Sequence, residues 1–434
     1  MEEVDNPTET QWSSEEKAVH KHFKETITHE EDGKYQVRLP VRDQIEHISN
    51  NKSGAIVRHQ SLMKRLTRNP DLGVKYRAAI KEFIDNGFAE KVDEITEPTR
   101  TFYSPHHPVI KEGHSTTKVR PVFEGNASDP DSESLNDSLY TGPTLQPLLA
   151  AVLIRFRLNP IAFKADVKKM YPMIKVHPED RDLLRFFWED PDDKTMSVYR
   201  LKVLPFGLSC SPYLAIATVH HHLSTYENEY PHIVKELMTN TYMDDLLSGA
   251  ESVEKAIADY ETEVQIMKSS GMELHKFASN HPDLNSRFVS DNVSSPDGHT
   301  EIHDEKAVLG ISWTSDDYFT FHEKGSLNAN TEIQPTKRNI LKISGKLYDP
   351  CGWLSPYIVL VKMLIQQLWE RGLEWDEKLP EDLLAKWEYW KEDLGALQHI
   401  KFPRYIGNHY SQKVQPVELH TFGDASEATP QLPI

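Results

Sequence analysis

The chain has 434 residues, enough for two or three domains that each bury a core, and 38% of them are hydrophobic. No run of eighteen or more apolar residues occurs, which excludes a helical membrane span, and the net charge of −18 argues at first against a nucleic-acid partner. Two distant cysteines, Cys210 and Cys351, exclude a disulfide framework or a cysteine zinc site and fit a reducing, intracellular compartment.

The N-terminal stretch MEEVDNPTETQWSSEEK is acidic and polar, unlike a signal or transit peptide. Residues 1–32 carry ten acids and three bases, and residues 1–35 read as a flexible leader within a leader and linker reaching residue 50. The charge then reverses, since residues 52–81 hold eight bases and one acid. Such a patch can track phosphates on an acidic molecule, because screening limits exposed charges to about 8–10 Å. A solvated helix face is the other reading.

Apolar spacing at Leu62 and Leu66, then Tyr76, Ala79, Ile80, Phe83 and Ile84, predicts two helices, with Gly87 closing the second. Beyond residue 100, IAFKADVKKMY, RDLLRFFW, MSVYRLKVL and TNTYMDDLLSG read as strands. Residues 209–226 and 251–269 read as helices, the latter opening on Ser252 and followed by Gly271. This alternation, without regular βαβ spacing, predicts an α+β domain with helices on one face of an antiparallel sheet. Residues 280–306 read as a polar loop, 308–322 as a strand pair, and 337 to about 395 as helical. The tryptophans of LLAKWEYWKEDL fit core packing.

Within LMTNTYMDDLLSG, Asp244 and Asp245 stand side by side between two short runs that read as strand. A surface turn tolerates such a pair. A divalent metal would want both charges, and that reading needs a third carboxylate. Asp166, where an apolar strand feeds the polar turn of FKADVKKMY, is the candidate. If the two strands are sheet neighbours, Asp166 and Asp244 converge, and carboxylates so placed can hold two Mg2+ ions roughly 3.5–4 Å apart for in-line phosphoryl displacement. Bound cations outweigh the repulsion between the acids.

Around them FKADVKKMY, LPFGLSCSPYLA, TYMDDLLSG, GMELHKFASN and VLGISW resemble, in order, the palm motifs of reverse transcriptases. YSPHHPVIKEGHSTTKVRPVFEGNA resembles the fingers segment before them. SPHHPVIKE, TKVRPVF, SLNDSLYTGP, GMELHKFASN and LYDPCGWLSP resemble, more narrowly, the Pao (BEL) lineage of LTR retrotransposon polyproteins, from about residue 20 to the C-terminus.

That resemblance implies roles position by position. Asp166 and Asp244 would be metal ligands, with Asp245 supporting the metal site. Tyr171 would be an aromatic gate against a ribose 2′-hydroxyl, which favours deoxynucleotides over ribonucleotides. Lys118 and Arg120 would grip the incoming triphosphate. Phe206 and Gly207 would floor the nucleotide pocket, where glycine lets the backbone approach the substrate. Lys276 would protonate or shield the departing pyrophosphate, and Leu309 and Gly310 would form the primer-grip hairpin. In a helix the consecutive histidines of VHHHL fan apart, and His106 and His107 have no ligand spacing, so none is assigned a site.

No Asp-(Ser/Thr)-Gly triplet occurs, so no aspartic protease is expected. ELHTFGDASEA resembles the first strand of ribonuclease H, with Asp424 at its first ligand position, expected to be inert because the chain stops ten residues later. The expected protein is a right-hand polymerase, a fragment or truncated product of a polyprotein. Its divisions would be fingers at 51–160, palm at 161–325, thumb and connection at 326–405, and a ribonuclease H start at 406–434. It would extend a primer on an RNA or DNA template with deoxynucleoside triphosphates and two Mg2+ ions, Mn2+ being able to stand in. Cytoplasmic location, in retrotransposon particles or free, is expected, with no membrane partner. The competing expectations are a catalytically inactive relic that binds nucleic acid, an RNA-templated RNA polymerase disfavoured by Tyr171, and a protein-interaction module derived from the polyprotein.

Overall fold

The computed structural model describes residues 10–43, 45, 48–92, 98–111, 118–189, 195–294, 306–321 and 334–409. Asp424 lies outside them. The chain divides into two compact units, one of residues 1–147, 167–244 and 260–274, the other of 148–166, 245–259 and 275–434.

In the first unit, the expected leader is corrected over its described part. Residues Ser14–Thr26 form a helix that buries Val19 and Phe23. It starts on a capping box, in which the Ser13 hydroxyl accepts from Glu16 N at 3.2 Å and Glu16 accepts from Ser13 N at 2.8 Å. Tyr35–Val37 then pairs with Thr28–His29 antiparallel and with Lys175–Val176 parallel. The basic segment forms helices Lys52–Arg68 and Pro70–Asp85, and Gly87 follows at φ 71°. Strands Ala89–Lys91, Met196–Leu201 and Arg185–Glu189 make one antiparallel sheet. His106–Lys111 and Lys118–Phe123 make a hairpin. RDLL is not strand but the end of a 3-10 helix, Pro178–Leu184, held by buried Asp180, which accepts from Arg38 Nε at 2.7 Å. Leu237–Asn240, expected as strand, closes helix Pro231–Asn240, whose Ile233, Val234 and Leu237 are buried at helical spacing.

The second unit holds a sheet with Ile161–Val167 between Asp245–Ala250 and Leu274–Ser279. The first two are antiparallel, with Asp245 opposite Asp166 and Ala250 opposite Ile161. A second antiparallel sheet runs Lys306–Val308, Ile311–Trp313, Tyr318–Thr320, Lys401–Pro403. The expected loop at 280–306 contains a helix, Pro282–Ser290, which buries Leu284 and Phe288 four residues apart. Val152, Phe156, Ala162, Leu247, Trp313 and Phe319 share one core. Helices Lys337–Ser344, Ser355–Glu370 and Glu381–Leu394 enclose another, in which Trp387 and Trp390 stack at 5.3 Å.

Arg404 ties this unit together. Its side chain is fully buried and meets Asp317 through Nε at 2.6 Å and Nη2 at 2.9 Å. The remaining donors go to the carbonyls of Phe156 at 2.7 Å, Asn159 at 2.8 Å and Pro160 at 2.9 Å. All five guanidinium donors are thus used, the condition under which a buried charge is tolerated. Replacing Arg404 by Met would leave the Asp317 charge with only its Trp313 and Asn280 bonds and take a donor from three carbonyls, so a loss of about 3–5 kcal/mol is expected in urea unfolding. A loss under about 1 kcal/mol would show the network to be dispensable.

Candidate active site

Alternation along Ile161–Val167 buries Ala162, Phe163, Ala165 and Val167 and leaves Asp166 half-buried at the strand end. Because Asp245 is its direct cross-strand partner, the two carboxyl groups share one face, and Asp245 hydrogen-bonds Asp166. Lys276 forms an ion pair with Asp166 Oδ2. His275 Nδ1 lies 2.9 Å from the main-chain oxygen of Asp166 and donates to it, since a carbonyl only accepts. Burial pushes the Asp166 carboxyl upward, but the hydrogen bond and charge of Lys276, the charge of Lys164 and the Asp245 hydrogen bond together hold it below the ordinary value.

Asp244 belongs to the first unit by its contacts. It is exposed in a turn that follows Met243 at φ 55°, and its carbonyl accepts from Val167 N at 2.6 Å. In the chain Asp244 directly precedes Asp245, the cross-strand partner of Asp166. In the same unit Tyr171 opens a short 3-10 turn and is 8% exposed, its ring 4.7 Å from that of Phe206. Burial first, and then the charge of Asp244, push its phenol up to about 12. Tyr171 is therefore neutral near pH 7.

Gly207 is required by a close approach. At φ 111°, a Cβ there would sit 1.7 Å from the carbonyl oxygen of Phe123, and Phe123 N donates to Phe206 O at 3.1 Å. Asn136 latches this turn. Its amide donates to Gly207 O at 3.0 Å and its oxygen accepts from Ser209 N at 2.9 Å. Asn136 and His275 were not among the expected site residues, although both lie in stretches quoted for the resemblance, SLNDSLYTGP and GMELHKFASN.

Arg120 is exposed on its strand three residues before Phe123, while the Lys118 side chain lies outside what the structure describes. Leu309 (φ 46°) and Gly310 (φ 92°) form the two-residue turn between Lys306–Val308 and Ile311–Trp313, and Leu309 packs on the Trp313 core.

His222 and His106 make structural contacts. His222 contacts the Tyr35 hydroxyl at 3.1 Å through Nδ1 and donates to Ile266 O at 2.7 Å. In the buried His106, Nε2 donates to Phe187 O at 3.0 Å, so Nδ1 accepts from the Tyr76 hydroxyl at 2.6 Å.

Residues 91–277 match the family described as reverse transcriptase (RNA-dependent DNA polymerase). That match marks a reverse transcriptase region within the chain. Residues 336–430 match the family described as the Pao retrotransposon-like RNaseH-like domain, and together the two matches support a Pol polyprotein region. The Gag-Pro-Pol polyprotein of Squirrel monkey retrovirus is 29% identical over 231 residues, which are 53% of this chain and 10% of that protein. The chain thus spans about a tenth of the length of that curated relative. A solved structure of the foamy viral protease-reverse transcriptase dRH in complex with ds DNA overlaps 76% of this chain and 48% of its own, at 16% identity and a TM-score of 0.49. The mixed helix and sheet of this chain form the α+β polymerase fold that the motifs implied. Among the described residues, no helix is long and apolar enough to cross a membrane.

Burial pulls His59, His106 and His220 down to about 4, below the ordinary value of 6.5. The unfolded chain therefore binds more protons between these values, so stability is full above about pH 6.5 and falls as the pH drops toward 4. For His106 the loss is on the order of 3 kcal/mol, and His106→Gln should make the fall of Tm with pH shallower. An unchanged slope would mean His106 is not buried neutral.

Proposed function

We propose that this chain is the RNA-directed DNA polymerase of its polyprotein and joins deoxynucleotides to a primer by a two-metal mechanism. The supporting observation is the register that sets Asp245 against Asp166 at a strand end, with Asp244 the preceding residue. The donor set fits a hard divalent cation: carboxylate oxygens on one face, to which a cation, Lys276, is already drawn. Asp166 and Asp244 would hold Mg2+, with Mn2+ as a substitute, and Asp245 would support them. Bound there, the ions would activate the primer hydroxyl and steady the leaving oxygen.

The protein's own part is positional. The Gly207 turn, latched by Asn136, floors the nucleotide pocket, and Tyr171 packed on Phe206 fills the volume a 2′-hydroxyl would need. Lys118 and Arg120 would draw in the triphosphate, Lys276 would serve the departing pyrophosphate, and the Leu309–Gly310 turn would grip the primer. We keep the fingers, palm and thumb divisions of the sequence reading, an RNA or DNA template as partner, and an intracellular or particle-bound location as parts of this proposal.

Primer extension with Mg2+ on a defined RNA template tests the reading. Wild type should extend the primer, and Asp244→Asn should lose several kcal/mol of transition-state stabilisation while keeping its fold. A wild type that binds the duplex but never extends it would make this a relic. Tyr171→Ala should raise the ribonucleotide-to-deoxynucleotide ratio of kcat/KM by an amount worth about 2–4 kcal/mol. An unchanged ratio returns Tyr171 to a packing role.

The basic helices give a separate check. Arg58 is paired with Glu124, but Lys64 and Arg65 are exposed on the same helix. If this face tracks template phosphates, charge reversal at Arg58, Lys64 and Arg65 should flatten the dependence of log affinity on log salt, by roughly 0.7–0.9 per lost contact. An unaltered slope assigns the charges to a solvated face.

A further inference from the structure

Two consecutive side chains of one strand reach the same residue. His275 bonds the main-chain oxygen of Asp166 at 2.9 Å, and Lys276 pairs with its carboxylate. Regular strand geometry forbids this, because neighbours point to opposite faces. Here Lys276 sits at φ 55°, the left-handed region that non-glycine residues rarely enter, and both residues are half-buried instead of alternating. Backbone strain held at such a place marks a constraint from function more often than from packing.

What the distortion achieves is specific. Without it, Lys276 would turn from the acids; with it, its ammonium occupies the oxygen Oδ2 of a carboxylate that keeps 21% of its side-chain surface exposed. We propose that Lys276 is a placeholder cation, which neutralises Asp166 until a divalent metal takes its position and displaces it. The inference rests on the reading of Asp166 as a metal ligand. His275 makes the exchange local: its bond is to the main chain, so the strand stays anchored while the lysine leaves. Lys164 shows the contrast. Its charge also acts on Asp166, while its ammonium bonds Ala307 O at 2.6 Å. Metal loading then frees a lysine ammonium beside the metal, so ion and free ammonium arrive together.

Mn2+ titration of the free protein, followed by electron paramagnetic resonance without nucleotide or nucleic acid, tests this. Lys276→Met should bind Mn2+ about fivefold tighter than wild type, the amount expected for releasing one half-exposed ion pair. Lys164→Met removes the same charge and should change affinity by less than about twofold. Equal tightening in both would reduce the effect to general electrostatics and overturn the placeholder. Asp166→Asn separates the two levels. If it leaves Mn2+ binding unchanged, Asp166 is not a ligand and the functional reading fails as well; if it abolishes binding while Lys276→Met has no effect, only the placeholder fails. As a readout that needs no variant protein in the titration, the Nζ-dimethyl resonance of Lys276, assigned with Lys276→Arg, should shift on Mg2+ addition in wild type. A stationary resonance under saturating Mg2+ would also overturn the exchange.

Discussion

The site depends on the register between Ile161–Val167 and Asp245–Ala250. A slip by one residue would turn every side chain of one strand to the other face and part Asp166 from Asp245. Two facing carboxylates oppose this pairing, so the register must be fixed elsewhere. Gly249 does part of it: a Cβ there would lie 2.6 Å from the carbonyl oxygen of Ile161, and Asn159 donates to Gly249 O at 3.0 Å. Ala162 and Leu247, one from each strand, contribute the apolar share by packing into the Trp313 core. The unfavourable end of the ladder is held by its favourable middle.

The same division of labour shows at the Gly207 turn. The turn is set by a backbone contact that no other residue allows, and an asparagine distant in sequence holds it from outside. Neither group carries chemistry. Both decide where Phe206, and through it Tyr171, can stand.

Much of this was legible in the chain. Ordered motifs around the acids gave the fold, and apolar spacing gave the helices that flank Asn69 and the one that carries Trp387 and Trp390. Acidic composition misled at the N-terminus, where the Ser13–Glu16 box and buried Phe23 outweigh the charge and a helix forms. Polar composition misled again at 282–290, where Leu284 and Phe288 are only two apolar anchors, yet lie on one helical face. Leu237–Asn240 shows the limit of short runs, which fit strand and helix equally until a neighbour decides. The His275 contact was out of reach, because it follows from a left-handed backbone at a lysine, and no propensity foretells that.

Arg404 also sets an order of events. Its hydrogen bond to Asn159 O links residues 245 positions apart, and the second unit is assembled from three separate stretches of chain. On a ribosome adding about 5–20 residues per second, the strand that carries Asp166 is made roughly 12–50 s before the arginine that caps its start. Until then the carbonyls of Phe156 and Asn159 lack the arginine, Pro160 O has Asn280 alone, and the nascent sheet stays open to mispairing. A chain built this way completes its second unit only after the sequence beyond helix Glu381–Leu394 has been translated.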